Sequence, residues 1–305
     1  MKKILILGGP TSAGKTAASL ALADEWRPRI VSADAMQIYR GMDIGTGKLG
    51  PEWLERYPHA GIDVRNPEEE FNAVDFAELA DREIEQAAAQ NQPVVIVGGT
   101  GLYFRALLTG FVEAPSGGME LRKELEALEA PHEALRRVDP DLARRLHPND
   151  TVRIVRGLEV HRLTGVPLSQ LHDEHRPKPR YEAVCLSLDR PDLDERIDRR
   201  VHQMMEDGYL AEVERLLNAG YHPKHTKPMR SLGYRHLSEH LTDGLGLDEA
   251  IRRTQRDTRK FARRQRKMIR HVGGFETVSA SEIARIRDAA VAAWGDPPAK
   301  ALLDG

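Results

Sequence analysis

Cysteine is almost absent from this sequence of 305 residues, since Cys185 is the only one. A single cysteine cannot form an internal disulfide or a multi-cysteine metal site, so we expect no zinc and a reducing environment. Long apolar runs are missing as well. The run from Ile4 to Leu7 has only four residues and ends in a glycine loop, which suits neither a signal peptide nor a membrane span. We therefore expect a cytoplasmic protein without a membrane partner.

Neither sign of charge dominates the composition, because the formal net charge is -2. The distribution is uneven, however: ten Lys and Arg residues and a single acid, Asp257, lie between Ile251 and Arg270. We interpret this segment as a helix in which the imbalance is too large for internal ion pairing. Contact with the phosphates of a nucleic acid is the favoured explanation, and a solvated helix face is the alternative.

Short apolar segments alternate with helical segments in the first third of the chain. The pattern predicts strands at Ile4 to Leu7, Arg29 to Ala33 and Pro93 to Val97, with helices at Thr16 to Trp26 and Phe71 to Gln90. Such alternation is typical of an α/β fold in which a parallel sheet is flanked by helices.

The later part of the chain is predicted to insert a helical subdomain into this core. The sequence from Glu120 to Leu171 is charged, helical and interrupted by prolines, whereas Tyr181 to Leu188 again has the pattern of a strand. One amphipathic helix is predicted from Pro191 to Leu217, and the alanine-rich tail after Gly274 has no informative pattern. We expect a core domain at 1–112 and 177–305 and a helical insertion domain at 113–176.

A phosphate-binding loop follows the first predicted strand. The residues Gly9, Pro10, Thr11, Ser12, Ala13, Gly14, Lys15 and Thr16 satisfy the pattern G-x-x-x-x-G-K-[ST] between a strand and a helix. Backbone N–H groups of such a loop converge on phosphate oxygens, Lys15 adds a positive charge, and Thr16 can ligate Mg²⁺. The loop alone does not identify the ligand as ATP.

Asp34 lies at the predicted carboxyl end of the second strand, at the sheet edge where ligands bind in open α/β folds. A carboxylate at this position could act as a base or bind magnesium through water. The alternative is a structural role as the N-cap of the segment that begins at Ala35.

Motifs over about 270 residues resemble those of the tRNA dimethylallyltransferase family. The resemblance rests on the phosphate loop, Ser-Ala-Asp-Ala-Met-Gln-Ile-Tyr-Arg-Gly-Met-Asp-Ile-Gly-Thr-Gly-Lys at 32–48, Val-Gly-Gly-Thr-Gly-Leu-Tyr at 97–103, His-Pro-Asn-Asp at 147–150, and Leu-Gly-Tyr-Arg at 232–235. It implies transfer of a dimethylallyl group from dimethylallyl diphosphate to N6 of the adenosine 3′-adjacent to the anticodon in tRNA, with Mg²⁺ as cofactor and the tRNA anticodon arm as partner.

The resemblance also implies roles for individual residues. Asp34 would be the base, with Lys15, Thr16, Thr100 and Arg200 completing the catalytic group. The residues implied to contact tRNA are Asp34, Ala35, Met36, Gln37, Thr100, Arg122, Val152, Arg153, Ile154, Val155, Arg156, Arg263 and Arg264. The chain has Ala35 where the family often has serine, and Met268 where it commonly has tryptophan.

Three other functions share some of these features. A small-molecule kinase would use the same loop for ATP, and a prenyltransferase acting on free AMP would use the same chemistry. Both leave the basic helix without a role. A non-catalytic RNA-binding protein would leave the phosphate loop unexplained.

Overall fold

The computed structural model describes residues 3–112, 114–175 and 178–298. The chain divides into two compact units, one formed by Met1–Thr109 and Pro179–Gly305 and the other by Gly110–Lys178. The predicted insertion at 113–176 falls within the second unit.

Six parallel strands form one sheet in the first unit. Along the chain they are β1 (Lys3–Gly8), β2 (Arg29–Ala33), β3 (His59–Ala60), β4 (Val94–Gly98), β5 (Glu182–Asp189) and β6 (Glu276–Ser279). Their spatial order is β3-β2-β4-β1-β5-β6, so the strand that carries the phosphate loop is central. The α/β class with a parallel sheet is confirmed. The tail after Gly274, where the sequence was uninformative, contributes β6, which pairs with β5 at the sheet edge.

Fourteen α-helices lie in the part of the chain that the structure describes. They are α1 (Lys15–Trp26), α2 (Pro51–Arg56), α3 (Ala73–Ala89), α4 (Gly101–Thr109), α5 (Gly118–Glu126), α6 (Pro131–Val138), α7 (Pro140–Arg145), α8 (Thr151–Thr164), α9 (Leu168–Glu174), α10 (Leu193–Glu206), α11 (Tyr209–Asn218), α12 (Leu232–Asp243), α13 (Leu247–Val272) and α14 (Ile283–Trp294). Across the described ranges, none of them has both the length and the apolar character that crossing a bilayer requires.

The single helix predicted from Pro191 to Leu217 is wrong, because Gly208 separates α10 from α11. Gly208 has φ of 100°, a left-handed conformation that an α-helix cannot continue through. The break changes the direction of the chain before Tyr209, the first residue of α11.

One apolar core of the first unit includes buried residues of β1, α1 and α14. Leu5 and Leu7 of β1 are fully buried and belong to the same apolar cluster as Leu22 and Trp26 of α1. Trp294 of α14 contacts Trp26 edge to face, with ring centroids 6.0 Å apart. The alanine-rich tail therefore contributes to the core.

The second unit has its own apolar core and two buried carboxylates, Asp139 and Glu159. Glu159 accepts from Arg122 Nε at 3.0 Å, from Gly117 N–H at 3.0 Å and from Arg156 Nη1 at 2.5 Å. Burial favours the neutral acid, but Arg156, Gly117 and Arg122 outweigh it and hold the pKa of Glu159 below its ordinary value.

This packing narrows the predicted RNA-contacting segment at 152–156. Ile154 and Val155 are 0% and 3% exposed within the apolar core of the second unit, so their side chains cannot reach a partner without unfolding that core. Val152, by contrast, is 79% exposed. Side-chain contacts of this segment therefore fall to its exposed positions, and the contact of the segment with RNA stays a prediction.

Candidate active site

Three segments meet at the carboxyl edge of the sheet. The loop 9–16 follows β1, Asp34 follows β2, and Thr100 follows β4. Because β1, β4 and β2 are consecutive neighbours, the three segments lie side by side. The Ala35 N–H donates to Thr100 Oγ1 at 3.0 Å and joins two of them.

The loop from Gly9 to Thr16 has the backbone of a phosphate-binding loop. Gly9 has φ of 140°, and a Cβ there would fall 2.4 Å from the carbonyl oxygen of Leu188, so a side chain does not fit. Lys15 folds back over the loop, where its Nζ donates to the Pro10 carbonyl at 2.7 Å. The buried Ser12 hydroxyl has no hydrogen-bond partner among the described residues, which leaves it available to a ligand.

A cavity of about 330 Å³ lies at this loop and is suited to an anion. Its lining consists of Ser12, Gly14, Lys15, Thr16, Ala17, Arg196 and Arg200. Burial lowers the pKa of Lys15 to about 8; the charge of Asp34 opposes this shift and that of Arg200 reinforces it. Three cationic side chains around one loop make a site that is electrostatically incomplete without a negative ligand.

Arg196 belongs to this site although the sequence prediction did not include it. Its Nε donates to the Ser12 carbonyl at 3.2 Å, so the side chain supports the loop at the point where the loop faces the cavity. Arg196 lies one helical turn before Arg200 on α10, and this spacing could have identified it.

Asp34 combines the two roles that the sequence left open. Its Oδ1 accepts from the Met36 N–H at 2.8 Å and from the Gln37 N–H at 3.4 Å, which is the structural role of capping the following turn. Asp34 also lines a second cavity and lies close enough to Lys15 and Arg200 to affect their ionisation. One carboxylate oxygen therefore fixes the side chain, and Oδ2 has no such bond among the described residues.

Gln37 is engaged by the protein at both ends of its amide. Its Oε1 accepts from the Ser32 hydroxyl at 2.9 Å, and its Nε2 donates to the carbonyls of Thr46 and Gly47 at 3.4 and 3.3 Å. Gln37 does not line either cavity at the loop. In this arrangement both ends of the amide are bound by protein groups, and contact of the Gln37 side chain with a base stays a prediction.

The second cavity has a volume of about 550 Å³ and joins polar and apolar walls. Ser12 and Arg200 line both this cavity and the anion cavity. The polar wall includes Asp34 and Thr100, whereas apolar side chains come from α10 and α13. An anionic group and an apolar group of one ligand could therefore be bound together.

The loop at 43–45 borders this cavity and is held by Glu212, another residue that the sequence prediction missed. Glu212 is 4% exposed and accepts from the backbone N–H groups of Asp43, Ile44 and Gly45 at 2.9, 2.7 and 3.1 Å. It also accepts from the Tyr234 hydroxyl at 2.7 Å. A lone acid on the apolar face of α11 was the available signal.

Helix α13 contains the basic segment, and several of its charges are paired with acids that lie outside it. Acids on neighbouring elements pair with Arg259, Arg263 and Arg266, namely Asp198, Asp194 and Asp189. Arg264 is exposed, lies 5.8 Å from the Phe261 ring centroid and lines the larger cavity. The residue of this helix in the best position to contact a ligand at the cavity is thus Arg264.

Gln265 connects α13 to the loops of the site. Its Oε1 accepts from the Thr11 N–H at 2.9 Å, and its Nε2 donates to the Gly99 carbonyl at 3.1 Å. Gln265 is 6% exposed, so these bonds are shielded from water. A polar residue on the packing face of the helix was the only sequence signal for this role.

The fold and the loop define an α/β protein with a P-loop core. The sequence model of the IPP transferase family matches residues 37–272. The tRNA dimethylallyltransferase 2 of Geotalea uraniireducens is 45% identical over 272 residues, which cover 86% of this chain and 87% of that protein. The tRNA dimethylallyltransferase 1 of Syntrophotalea carbinolica is 47% identical over 271 residues and 86% of each chain.

Solved structures agree with these sequence relationships. The tRNA isopentenylpyrophosphate transferase of Bacillus halodurans has a TM-score of 0.70 and 31% identity, with 96% of this chain and 97% of that chain covered. A eukaryotic dimethylallyltransferase acting on tRNA has a TM-score of 0.82 and 25% identity, with 96% and 78% covered. The chain belongs to the IPP transferase family, and the resemblance drawn from the sequence motifs is confirmed.

The pKa of Lys15 predicts how diphosphate binding depends on pH. Lys15 loses its charge as the pH rises through about 8, so its contribution to anion binding is present below that pH and lost above it. We expect the ratio of wild-type to Lys15→Met affinity for inorganic diphosphate to fall about tenfold between about pH 7 and about pH 9, as measured by calorimetry. The ratio removes the ionisation of diphosphate itself. A ratio that is constant over this range would contradict the assignment.

Proposed function

We propose that this protein transfers the dimethylallyl group of dimethylallyl diphosphate to N6 of the adenosine 3′-adjacent to the anticodon in tRNA and releases diphosphate. The observation that carries the proposal is the pair of cavities that share Ser12 and Arg200, one cationic and the other partly apolar, with Asp34 on the wall of the second. The names of the relatives support the same reaction.

The cationic cavity would stabilise the leaving group. When the allylic C–O bond breaks, its electron pair passes to the diphosphate oxygen, and negative charge grows there. Loop N–H groups, Lys15 and Arg200 would interact with the diphosphate more strongly in the transition state than in the ground state. The residues proposed to bind the diphosphate are Gly9, Pro10, Thr11, Ser12, Ala13, Gly14, Lys15 and Thr16, joined by Arg196 and Arg200.

Asp34 would act on the nucleophile. The lone pair of adenine N6 is delocalised into the ring, so N6 attacks well only if its proton is removed as the new C–N bond forms. The bonds from Met36 and Gln37 hold Asp34 Oδ1, which fixes the carboxylate and leaves Oδ2 for the proton. Thr100 Oγ1 accepts from Ala35 N–H, so its own proton can be donated to a substrate at the same edge.

Magnesium fits the loop, and Thr16 is the residue we propose as its ligand. Thr16 is exposed at the start of α1, beside the anion cavity. Within the described ranges no group of three or more His, Cys, Asp or Glu residues could hold an ion by itself, so the remaining ligands would be substrate oxygens and water. When bound, Mg²⁺ would neutralise part of the diphosphate charge.

For tRNA we propose contacts on both units. In the first unit they are Asp34, Ala35, Met36 and Thr100 at the larger cavity, with Arg263 and Arg264 on α13. In the second unit Val152 and Arg153 are exposed. Arg122 and Arg156 form ion pairs with Glu159. They would contact phosphates through the guanidinium N–H groups that do not bind Glu159.

The acceptor distinguishes this function from a kinase and from a prenyltransferase acting on free AMP. We expect label from dimethylallyl diphosphate to enter unmodified tRNA in the presence of Mg²⁺, with none entering AMP and no phosphoryl transfer from ATP to small acceptors. Chromatography of the digested tRNA would identify the modified adenosine. Label that enters only AMP would contradict the proposal.

Asp34→Asn is the matched variant for this assay. Asn keeps the oxygen that accepts from Met36 and Gln37 but cannot take the proton, so turnover should fall at least ~100-fold while tRNA affinity changes much less. Near-normal turnover would refute the role of Asp34 as the base.

Charge on α13 predicts a salt dependence of tRNA binding. Each phosphate contact contributes about one to the slope of log affinity against log salt, so the double change Arg263→Gln and Arg264→Gln should weaken binding and flatten that slope by roughly one to two. Arg285→Gln is the control. Arg285 pairs with Glu276 on the edge strand β6 and is not among the residues proposed to contact tRNA. If both variants give the wild-type slope in filter-binding titrations, α13 is a solvated face.

A further inference from the structure

The apolar part of the larger cavity contains a phenol hydroxyl that the proposed reaction does not use. Tyr209, the first residue of α11, lines this cavity and is 2% exposed. Its ring lies edge to face against Tyr234, with centroids 5.1 Å apart. The Tyr234 hydroxyl donates to Glu212, whereas the Tyr209 hydroxyl forms no hydrogen bond with any residue that the structure describes.

Backbone on two sides confines this hydroxyl. A Cβ on Gly45 would fall 2.5 Å from the Tyr209 oxygen, and a Cβ on Gly233 would fall 2.7 Å from it. Both glycines line the same cavity. The two close approaches fix the position of the hydroxyl and leave the cavity as the direction from which a partner can come.

The other side chains nearby do not satisfy this hydroxyl. Thr254 and Thr258 line the cavity, but their hydroxyls are bound within their own helix. The Thr254 hydroxyl donates to the Ala250 carbonyl at 2.8 Å, and the Thr258 hydroxyl donates to the Thr254 carbonyl at 2.7 Å. Ile197, Val201 and Met204 add only apolar surface. When a ligand displaces water from the cavity, a hydroxyl left without a partner costs free energy that a phenylalanine would not incur, so a polar group on the ligand is favoured here.

Tyr209 can be either a donor or an acceptor in such a bond. Burial, reinforced by the charge of Glu212, raises the pKa of Tyr209 well above its ordinary value, so the phenol keeps its proton at neutral pH. A neutral alcohol can both donate to and accept from a neutral phenol.

We propose that the Tyr209 hydroxyl binds a hydroxyl at the far end of the donor's carbon chain, so that the enzyme uses terminally hydroxylated dimethylallyl diphosphate in addition to dimethylallyl diphosphate. This inference rests on the proposed function, since it places the diphosphate at the loop and the chain in the apolar part of the cavity. The bond changes are the same for both donors. The C–N6 bond forms, the allylic C–O bond breaks with its electron pair going to diphosphate, the N6 proton goes to Asp34, and the terminal hydroxyl is transferred unchanged.

The test compares kcat/KM for the two donors with the same tRNA in the wild type and in Tyr209→Phe. Removing the phenol oxygen should lower kcat/KM for the hydroxylated donor about tenfold and leave that for dimethylallyl diphosphate within about twofold, because only the former loses a hydrogen bond. The readout is the ratio of the two efficiencies, which a general loss of folding does not change.

Tyr234→Phe is the matched control, because it removes the hydroxyl of the partner ring, which is already bonded to Glu212. It should lower both efficiencies alike and leave their ratio unchanged. A wild type that does not use the hydroxylated donor, or a ratio that Tyr209→Phe leaves unchanged, would overturn the inference. Equal losses with both donors in Tyr209→Phe would also overturn it and would place the hydroxyl against the adenine. Failure of the proposed function is distinct, since neither donor would then label tRNA.

Discussion

One buried amide, that of Gln265, joins the parts on which the site depends. It accepts from the phosphate loop at Thr11 and donates to Gly99, and thereby holds the loops after β1 and β4 together. The amide belongs to α13, the helix that also carries Arg264. A change in the position of this helix would therefore move the groups that hydrogen-bond to the phosphate loop, and the loop in turn restrains the helix. The position of α13 and the geometry of the phosphate loop are thus linked through one side chain.

A second buried group, the carboxylate of Glu212, shapes the other side of the larger cavity. Three consecutive backbone N–H groups and the Tyr234 hydroxyl satisfy it, so the loop at 43–45 has little freedom. That loop places Gly45 against the Tyr209 ring. Glu212 therefore controls the shape of the apolar wall without lining it. Together with Gln265, it explains how a cavity built largely from loops and helix faces can hold a fixed form.

The sequence predicts the chemistry of the site where the residues involved lie next to a strand that can be recognised. The phosphate loop, Asp34 and Thr100 each follow a strand, and a strand end in a parallel sheet fixes the position of the next few residues. Residues that contact partners far away in the sequence could not be predicted. Gln265 and Thr11 are 254 positions apart, and Glu212 and Gly45 are 167 apart, so no local pattern shows that they meet.

The partners of the charged residues on α13 could not be predicted for the same reason. The imbalance within 251–270 is real, but the acids that pair with Arg259, Arg263 and Arg266 come from β5 and α10, which are distant in sequence. The sequence motif at 152–156 likewise includes both exposed and buried residues. The periodicity of a single helix does not show which of its faces packs against the rest of the protein. The missed strand β6 is short and mostly polar, so it lacks the apolar pattern of the central strands.

The loop is proposed to bind the diphosphate that leaves when the carbon chain is transferred. It is not proposed to bind a nucleotide that donates a phosphoryl group. The most direct measurement uses dimethylallyl diphosphate labelled with one isotope in the carbon chain and another in the phosphates, incubated with the protein, Mg²⁺ and unmodified tRNA. The account predicts that the tRNA acquires carbon label alone, with one inorganic diphosphate released for each group transferred. Phosphorus label in the tRNA, or release of single phosphates in place of diphosphate, would contradict it.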